Sequence, residues 1–319
     1  MPTCRVLTVD GGGVRGVVAA LVLAALEERA GRPVSELFDV VAGTSTGAVL
    51  VLGLVCPDRD GRPRWTARDM VDVFAQGGPS TFDRSAWRAL WTLDGFVAPK
   101  YSAREMEVQL RARLGDRRLS EALCEVVVPT YDLRRREPHL LTRSSARRRG
   151  DPLMRRVAVA SAAAPTYFPP VPVLDAEVGE RWLVDGGVCV NNPTLTAYAH
   201  VRRTCRGDDV VVLSVGCGRL TDDCATPRVR RGGALVWARP AIDVMLDGQE
   251  DAVDAEARVV LGDGYWRLQV DLPDSARRLD DGSLANMRTL QRAAERLLTE
   301  QGALLDAACE RLLEPASAA

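Results

Sequence analysis

The first 55 residues run twice through one pattern. Residues 5–10 form a short apolar run of the kind a sheet buries, and Gly11-Gly12-Gly13 follows. Val17, Val18, Leu21, Val22, Ala25 and Leu26 then fall on one face of a helix spanning 14–29. Phe38 to Ala42 repeats the strand, Gly43 to Gly47 the turn, and Ala48 to Val55 the start of a helix. Two such units in succession imply parallel strands joined by helical crossovers. The spacing predicts a layered α/β fold with its functional loops at the carboxyl ends of the strands.

Residues 57–100 interrupt the pattern. Pro57, Asp58, Asp60, Gly61 and Pro63 make a loop, and Trp65, Phe74, Phe82, Trp87, Trp91 and Phe96 then concentrate the chain's few aromatics. We read a helical excursion covering the site, with a small satellite core as the plain alternative. Glu125 to Thr130 and His139 to Thr142 read as a β-hairpin and Val210 to Val215 as a further strand. The leucine spacing from Asp281 to Glu314 predicts helix, and the last five residues read as frayed. No repeat or low-complexity linker divides the chain, so one domain is expected over 1–319, its motifs lying in 5–198 and further strands and helices in 199–314.

Charge narrows the functional classes. Lys+Arg number 42 against 43 Asp+Glu, a formal net charge of -1, which excludes a nucleic-acid binder that works through phosphate contacts. Lys100 is the only lysine, and arginine is spread along the whole chain. The clusters Arg134-Arg135-Arg136 and Arg147-Arg148-Arg149 could meet anionic lipid headgroups, although a solvated loop face is the simpler reading. Eight cysteines form no C-x-x-C pair and have no histidine at ligand spacing, so no metal site is expected. With no leader-like N-terminus and no apolar run longer than Ala48 to Cys56, the expectation is a soluble cytoplasmic protein with free thiols, able to touch a membrane surface transiently.

Two glycine turns carry the chemistry. Gly43-Thr44-Ser45-Thr46-Gly47 matches G-x-S-x-G, in which Gly43 and Gly47 allow a strand-to-helix turn to hold a serine hydroxyl at its tip. The apolar strand before it and the helical run after it make Ser45 a candidate nucleophile. Gly11-Gly12-Gly13-Val14-Arg15-Gly16 also fits G-x-G-x-x-G, the dinucleotide fingerprint. That unit needs an acidic residue at the end of the next strand, about twenty residues on. Here Asp39 stands near the start of that strand, which ends in the serine turn. The same glycine N–H groups suit an oxyanion instead.

A serine nucleophile needs a base. His139, in the proposed hairpin, and His200, in the helical pattern after Pro193, are the chain's two histidines, and neither stands at a strand-end turn. Asp185 does: Arg181 to Val184 reads as a strand and Asp185-Gly186-Gly187 as the turn that ends it. On spacing alone this is equally a D-G hairpin turn. If Asp185 is the base, a carboxylate takes the serine proton directly.

Four ordered blocks together resemble the patatin-like phospholipase family. They are Asp10 to Gly16, Gly43 to Gly47, Ala160-Ser161-Ala162-Ala163-Ala164-Pro165-Thr166-Tyr167-Phe168-Pro169-Pro170, and Asp185-Gly186-Gly187 with Asn191-Asn192-Pro193. The similarity continues through Tyr131-Asp132-Leu133, Leu213 to Gly216 and Tyr265 to Leu268, in the manner of the bacterial members. The resemblance implies a three-layer α/β/α fold and a calcium-independent lipid acyl hydrolase that needs no cofactor. It implies Ser45 as nucleophile, Asp185 as base, and the N–H groups of Gly11, Gly12 and Gly13 as oxyanion hole. Arg15 would brace the glycine loop, the Ala160 to Pro170 block would pack beside the pair, and Asn191 and Asn192 would fix the loop after Asp185. The substrate would be a lipid or other acyl ester, met with or without a brief membrane contact. An acyltransferase using the same acyl-enzyme, a nucleotide-binding module and a histidine-dependent esterase are the competing readings.

Overall fold

The computed structural model describes residues 3–81, 98–204, 209–221, 223, 225–237 and 240–314. Its centre is an eight-stranded sheet. Strands β1 (Thr3–Val9), β2 (Val40–Gly43), β3 (Glu125–Asp132), β4 (Glu137–Thr142), β5 (Val171–Asp175), β6 (Gly179–Asp185) and β7 (Asp209–Val215) belong to it. After the short β8 (Arg219–Leu220) comes its eighth member, β9 (Tyr265–Leu268), while β10 (Asp271–Leu272) pairs only with β8. The path runs β5-β6-β3-β2-β1-β7-β9, with β4 beside β3. The pairs β1·β2, β1·β7, β2·β3 and β7·β9 are parallel, whereas β3·β4, β3·β6 and β5·β6 are antiparallel.

Leaving out single turns, the helices among the described residues are α1 (Gly16–Ala30), α2 (Thr46–Leu54), α3 (Ala67–Thr81), α4 (Ala103–Leu114), α5 (Met154–Ser161), α6 (Thr194–Thr204), α7 (Pro240–Leu261), α8 (Leu284–Glu300) and α9 (Gly302–Leu313). Strand alternation sorts the apolar side chains onto two faces. Leu7, Val9, Val41, Val126, Val128, Leu213 and Val215 join the larger core with α1, α2, α5, α8 and α9. Cys4, Val6, Val40, Ala42, Val127, Val210 and Val212 join a smaller core with Ala197 and Val201 of α6 and Ala257 of α7. The fold is therefore mixed α/β, with a mostly parallel sheet between two helical layers. Helix α1 is buried on most of its circumference, lying between the sheet and α3, α8 and α9, and so its sequence is apolar nearly all round. It ends where Gly31 takes φ +63° and returns its N–H to Glu27 O.

The expected elements at 5–10, 14–29, 38–42, 48–55, 125–130, 139–142 and 210–215 all form, with no end shifted by more than two residues. The C-terminal helical stretch is two helices broken at Gln301. The D-G hairpin alternative is not what forms: Gly186–Val188 is a single helical turn, and β6 pairs with β5 and β3. The excursion at 57–100 holds helix α3, while Phe82, Trp87, Trp91 and Phe96 lie outside the described residues.

Candidate active site

Register brings the ends of β2 and β6 together. Val127 pairs with Ala42 on one side and Thr142 on the other, and Thr130 with Asp185 on one side and His139 on the other. Strand β4 thus fills one edge of β3, and β2 and β6 share the opposite edge, end to end. They run toward each other, so the turn after β2 meets the last residue of β6. There the Ser45 hydroxyl donates to Asp185 Oδ2 at 2.7 Å.

The turn around Ser45 is tight. Ser45 has φ +54°, a conformation side chains rarely adopt, as expected of a serine held at the tip of a strained strand-to-helix turn. A side chain at Gly43 would meet Gly47 O at 2.3 Å, and one at Gly47 would meet Val9 O at 2.3 Å, so both flanking positions must be glycine. Thr44 Oγ1 donates to Val190 O at 2.7 Å, tying this turn to the loop after Asp185.

Asp185 is buried. Its Oδ1 accepts the Gly187 N–H at 2.7 Å, leaving Oδ2 for the serine. Burial pushes the carboxyl up to about 6, against the lowering effect of the hydrogen bonds from Ser45 and Gly187. A carboxylate that holds its proton more readily than usual and touches a serine hydroxyl can act as a general base near neutral pH.

The glycine loop lies across the same space. Gly12, Gly13, Ser45, Asp185 and Gly187 line one cavity of about 590 Å3. Its other walls are mostly apolar, from Val49 and Phe74 to Leu110, Phe168, Met245 and Leu246. Among the described residues no hydrogen bond takes the N–H of Gly12 or Gly13, whereas Gly11 donates its N–H to Asn191 O at 3.1 Å. Gly11 therefore departs from the expected donor role and anchors the loop, while Gly12 and Gly13 remain among the residues that line the cavity. Arg15 braces the loop from behind, its guanidinium donating to Arg277 O at 2.5 Å and Gly218 O at 3.5 Å. Val14 N–H adds a bond to Leu279 O at 2.9 Å.

Asn191 accepts from Gly11 through its backbone and donates through its side chain to Glu250. Asn192 Oδ1 caps α6 by accepting the Thr194 N–H at 3.0 Å. Under the loop, buried Asp10 pairs with buried Arg267, which also donates to Ser214 Oγ at 2.9 Å. Glu250 and the lining residues of α7 were not singled out from sequence, because they lie far from the motifs along the chain and on no recognisable pattern; Arg267 fell inside the Tyr265 to Leu268 stretch of the resemblance, which gave it no role.

Neither histidine reaches the cavity. His139 is buried in β4 and pushed down to about 4, by burial first and then by the charges of Arg181 and Arg149. His200 sits 3.1 Å from Glu125 on the other helical layer. A dinucleotide is also poorly served: the Asp185 carboxylate faces the space its phosphates would enter, and the walls are apolar. The arginine clusters are partly neutralised in ion pairs, Arg135 with Asp132, Arg149 with Asp175 and Arg148 with Glu177. Among the described residues no group of three His, Cys, Asp or Glu is placed to hold a metal ion, and no helix is long and apolar enough to cross a membrane.

Comparison with known proteins identifies the family. Residues 7–198 match the family model described as patatin-like phospholipase. The chain belongs to the patatin-like phospholipase family. Patatin-like protein 2 of Oryza sativa subsp. indica is 31% identical, over 94% of this chain and 85% of that protein. Patatin-like protein 2 of Arabidopsis thaliana is 29% identical over 95% and 85%. Patatin-03 of Solanum tuberosum is 29% identical over 92% and 83%. Membership places the chain among enzymes that hydrolyse lipid esters. All four sequence blocks that suggested a patatin-like protein lie within the matched residues.

Proposed function

We propose that this protein is a lipid acyl hydrolase in which Ser45 is the nucleophile and Asp185 its general base. The observation that carries the reading is the 2.7 Å hydrogen bond between them at one end of an apolar cavity. Asp185 accepts the Ser45 proton as Oγ attacks the ester carbonyl. The N–H groups of Gly12 and Gly13 hold the oxyanion, and the protonated Asp185 returns the proton to the departing alcohol or lysolipid. Water, deprotonated by the same carboxylate, then cleaves the acyl-enzyme and releases the fatty acid. The base is a side chain and the oxyanion donors are backbone, so the cycle as written needs no calcium.

The cavity walls suit an acyl chain, and its volume falls in the usual range for small-molecule sites, about 300–1,000 Å3. We read the chain as one domain, since α8 and α9 pack against α1. Free thiols at Cys4, Cys56, Cys124, Cys189, Cys217 and Cys309 fit the cytoplasm, where we place it.

The test is fatty-acid release from phospholipid and galactolipid vesicles in the presence of a chelator. Wild type is expected to release fatty acid and Ser45→Ala none. Equal release by both would end this reading.

A further inference from the structure

A nucleophile at φ +54° needs something to hold it there. The peptide unit that sets this angle joins Thr44 C=O to Ser45 N–H, and it is bonded at both ends. Thr44 O accepts the Gly47 N–H at 2.7 Å. Ser45 N–H does not face the oxyanion site; it donates to Ser161 Oγ at 3.0 Å.

Ser161 is the last residue of α5 and is wholly buried. Its single hydroxyl proton goes to Pro129 O at 2.8 Å, so a lone pair is left to face Ser45. Pro129 stands in the gap on the shared edge of β3, after the last residue paired with β2, Val127, and before the first paired with β6, Thr130. A proline suits that gap because it brings no N–H that would need a partner. On the β6 side, a side chain at Gly186 would meet the same Pro129 O at 2.4 Å. Two residues past Ser161, Ala163 O accepts the Asp185 N–H at 3.0 Å.

We propose that Ser161 is the positioning residue of the nucleophile, fixing the Ser45 backbone through the relay Ser45 N–H to Ser161 Oγ–H to Pro129 C=O. The proposal rests on reading Ser45 as the nucleophile. Ser161 touches no substrate. It holds Ser45 Oγ within reach of Asp185 while the same short segment holds the Asp185 backbone, so the separation of the pair is set from α5. Without the hydroxyl, Ser45 N–H and Pro129 C=O lose their partner, and the 44–45 peptide keeps only its Gly47 N–H bond to hold the strained angle.

The experiment compares Ser161→Ala with wild type and Ser45→Ala, reading fluorophosphonate labelling by intact mass and ester turnover. Labelling stoichiometry counts folded sites, and labelling rate reports the reactivity of each. For Ser161→Ala the expected result is near-full stoichiometry, with labelling rate and kcat each down about 10- to 100-fold and KM within about twofold. Ser161→Cys, which keeps a weaker donor and acceptor, should fall between, and it carries the test alone if the alanine variant does not fold. Wild-type rates in Ser161→Ala, with Ser45→Ala silent, overturn the proposal and leave the nucleophile assignment standing. So does a loss of stoichiometry at unchanged rate per labelled site, which means that Ser161 only supports the fold. Turnover by Ser45→Ala overturns both.

Discussion

Ser45 and Asp185 are 140 positions apart in the chain, and their side chains are 2.7 Å apart because the two strands that carry them run head-on along one edge of β3. In most parallel α/β sheets the strand ends that form a site lie side by side. Here an antiparallel strand delivers the acid to the carboxyl end of a parallel one. Ser45 lies two residues past the end of β2 and Asp185 is the last residue of β6, so little chain separates either side chain from the sheet.

The Asp185 carboxyl titrates near 6, and as base it must be ionised. We expect kcat/KM for a neutral ester to be low at pH 5, to rise through a midpoint near 6 and to be flat by pH 8. A pH–rate profile on a soluble short-chain ester measures this directly. A midpoint near 4 would mean that the carboxyl is not desolvated as the structure places it.

The same burial predicts a trade between activity and stability. A folded-state carboxyl raised from 3.8 to about 6 binds more protons folded than unfolded over that interval. Its contribution to stability is therefore lost as pH rises through that window, and it stays lost above it. Asp185→Asn removes this loss, so at pH 7 the variant should be the more stable, by roughly 2–3 kcal/mol at about 1.4 kcal/mol per pKa unit. Near pH 3 the difference should vanish. Urea unfolding at the two pH values checks both the size and the sign.

These features differ in how far the sequence reveals them. The strand, glycine turn and helix at 5–29 and 38–55 are local patterns, and a single hydrophobic period was enough to place them. Asp185 was legible as a strand-end acid, yet only the family resemblance separated it from a hairpin turn. That Gly11 donates to Asn191, and so is closed to an oxyanion, depends on a contact between residues 180 positions apart, which no local pattern encodes. Glu250 escaped for the same reason, and Arg267, though inside the Tyr265 to Leu268 stretch of the resemblance, carried no role there: a buried charge on a helix or strand reads as a surface charge until the fold is known.

The sole lysine lies in such a place. Lys100 is buried and ion-paired with buried Asp280, which also accepts from Tyr101 OH at 2.8 Å. Next to Asp280 in the chain is Leu279, whose carbonyl holds the glycine loop. Although burial opposes it, Lys100, Arg278 and Tyr101 hold the Asp280 carboxyl down at about 2. Its stabilising contribution is thus present above pH 4 and lost as pH falls through about 2. Asp280→Asn should cost about 3 kcal/mol at pH 7, because it removes the carboxylate that faces a buried ammonium. The cost should shrink toward pH 2, and denaturant melts across that range would show it.

Leu110 lines the cavity and is buried. Leu110→Trp should shorten the space for an acyl chain, lowering kcat/KM for long-chain p-nitrophenyl esters about tenfold or more while leaving acetyl and butyryl esters within about threefold. A uniform loss across chain lengths would mean that the chain lies elsewhere.

The most direct test of the Ser45–Asp185 account is intact-protein and peptide mass spectrometry after exposure to a fluorophosphonate. The account predicts one adduct on wild type, located on the peptide that contains Ser45, none on Ser45→Ala, and labelling of Asp185→Asn slowed about a hundredfold or more. An adduct on another residue, or Asp185→Asn labelled as fast as wild type, would contradict it.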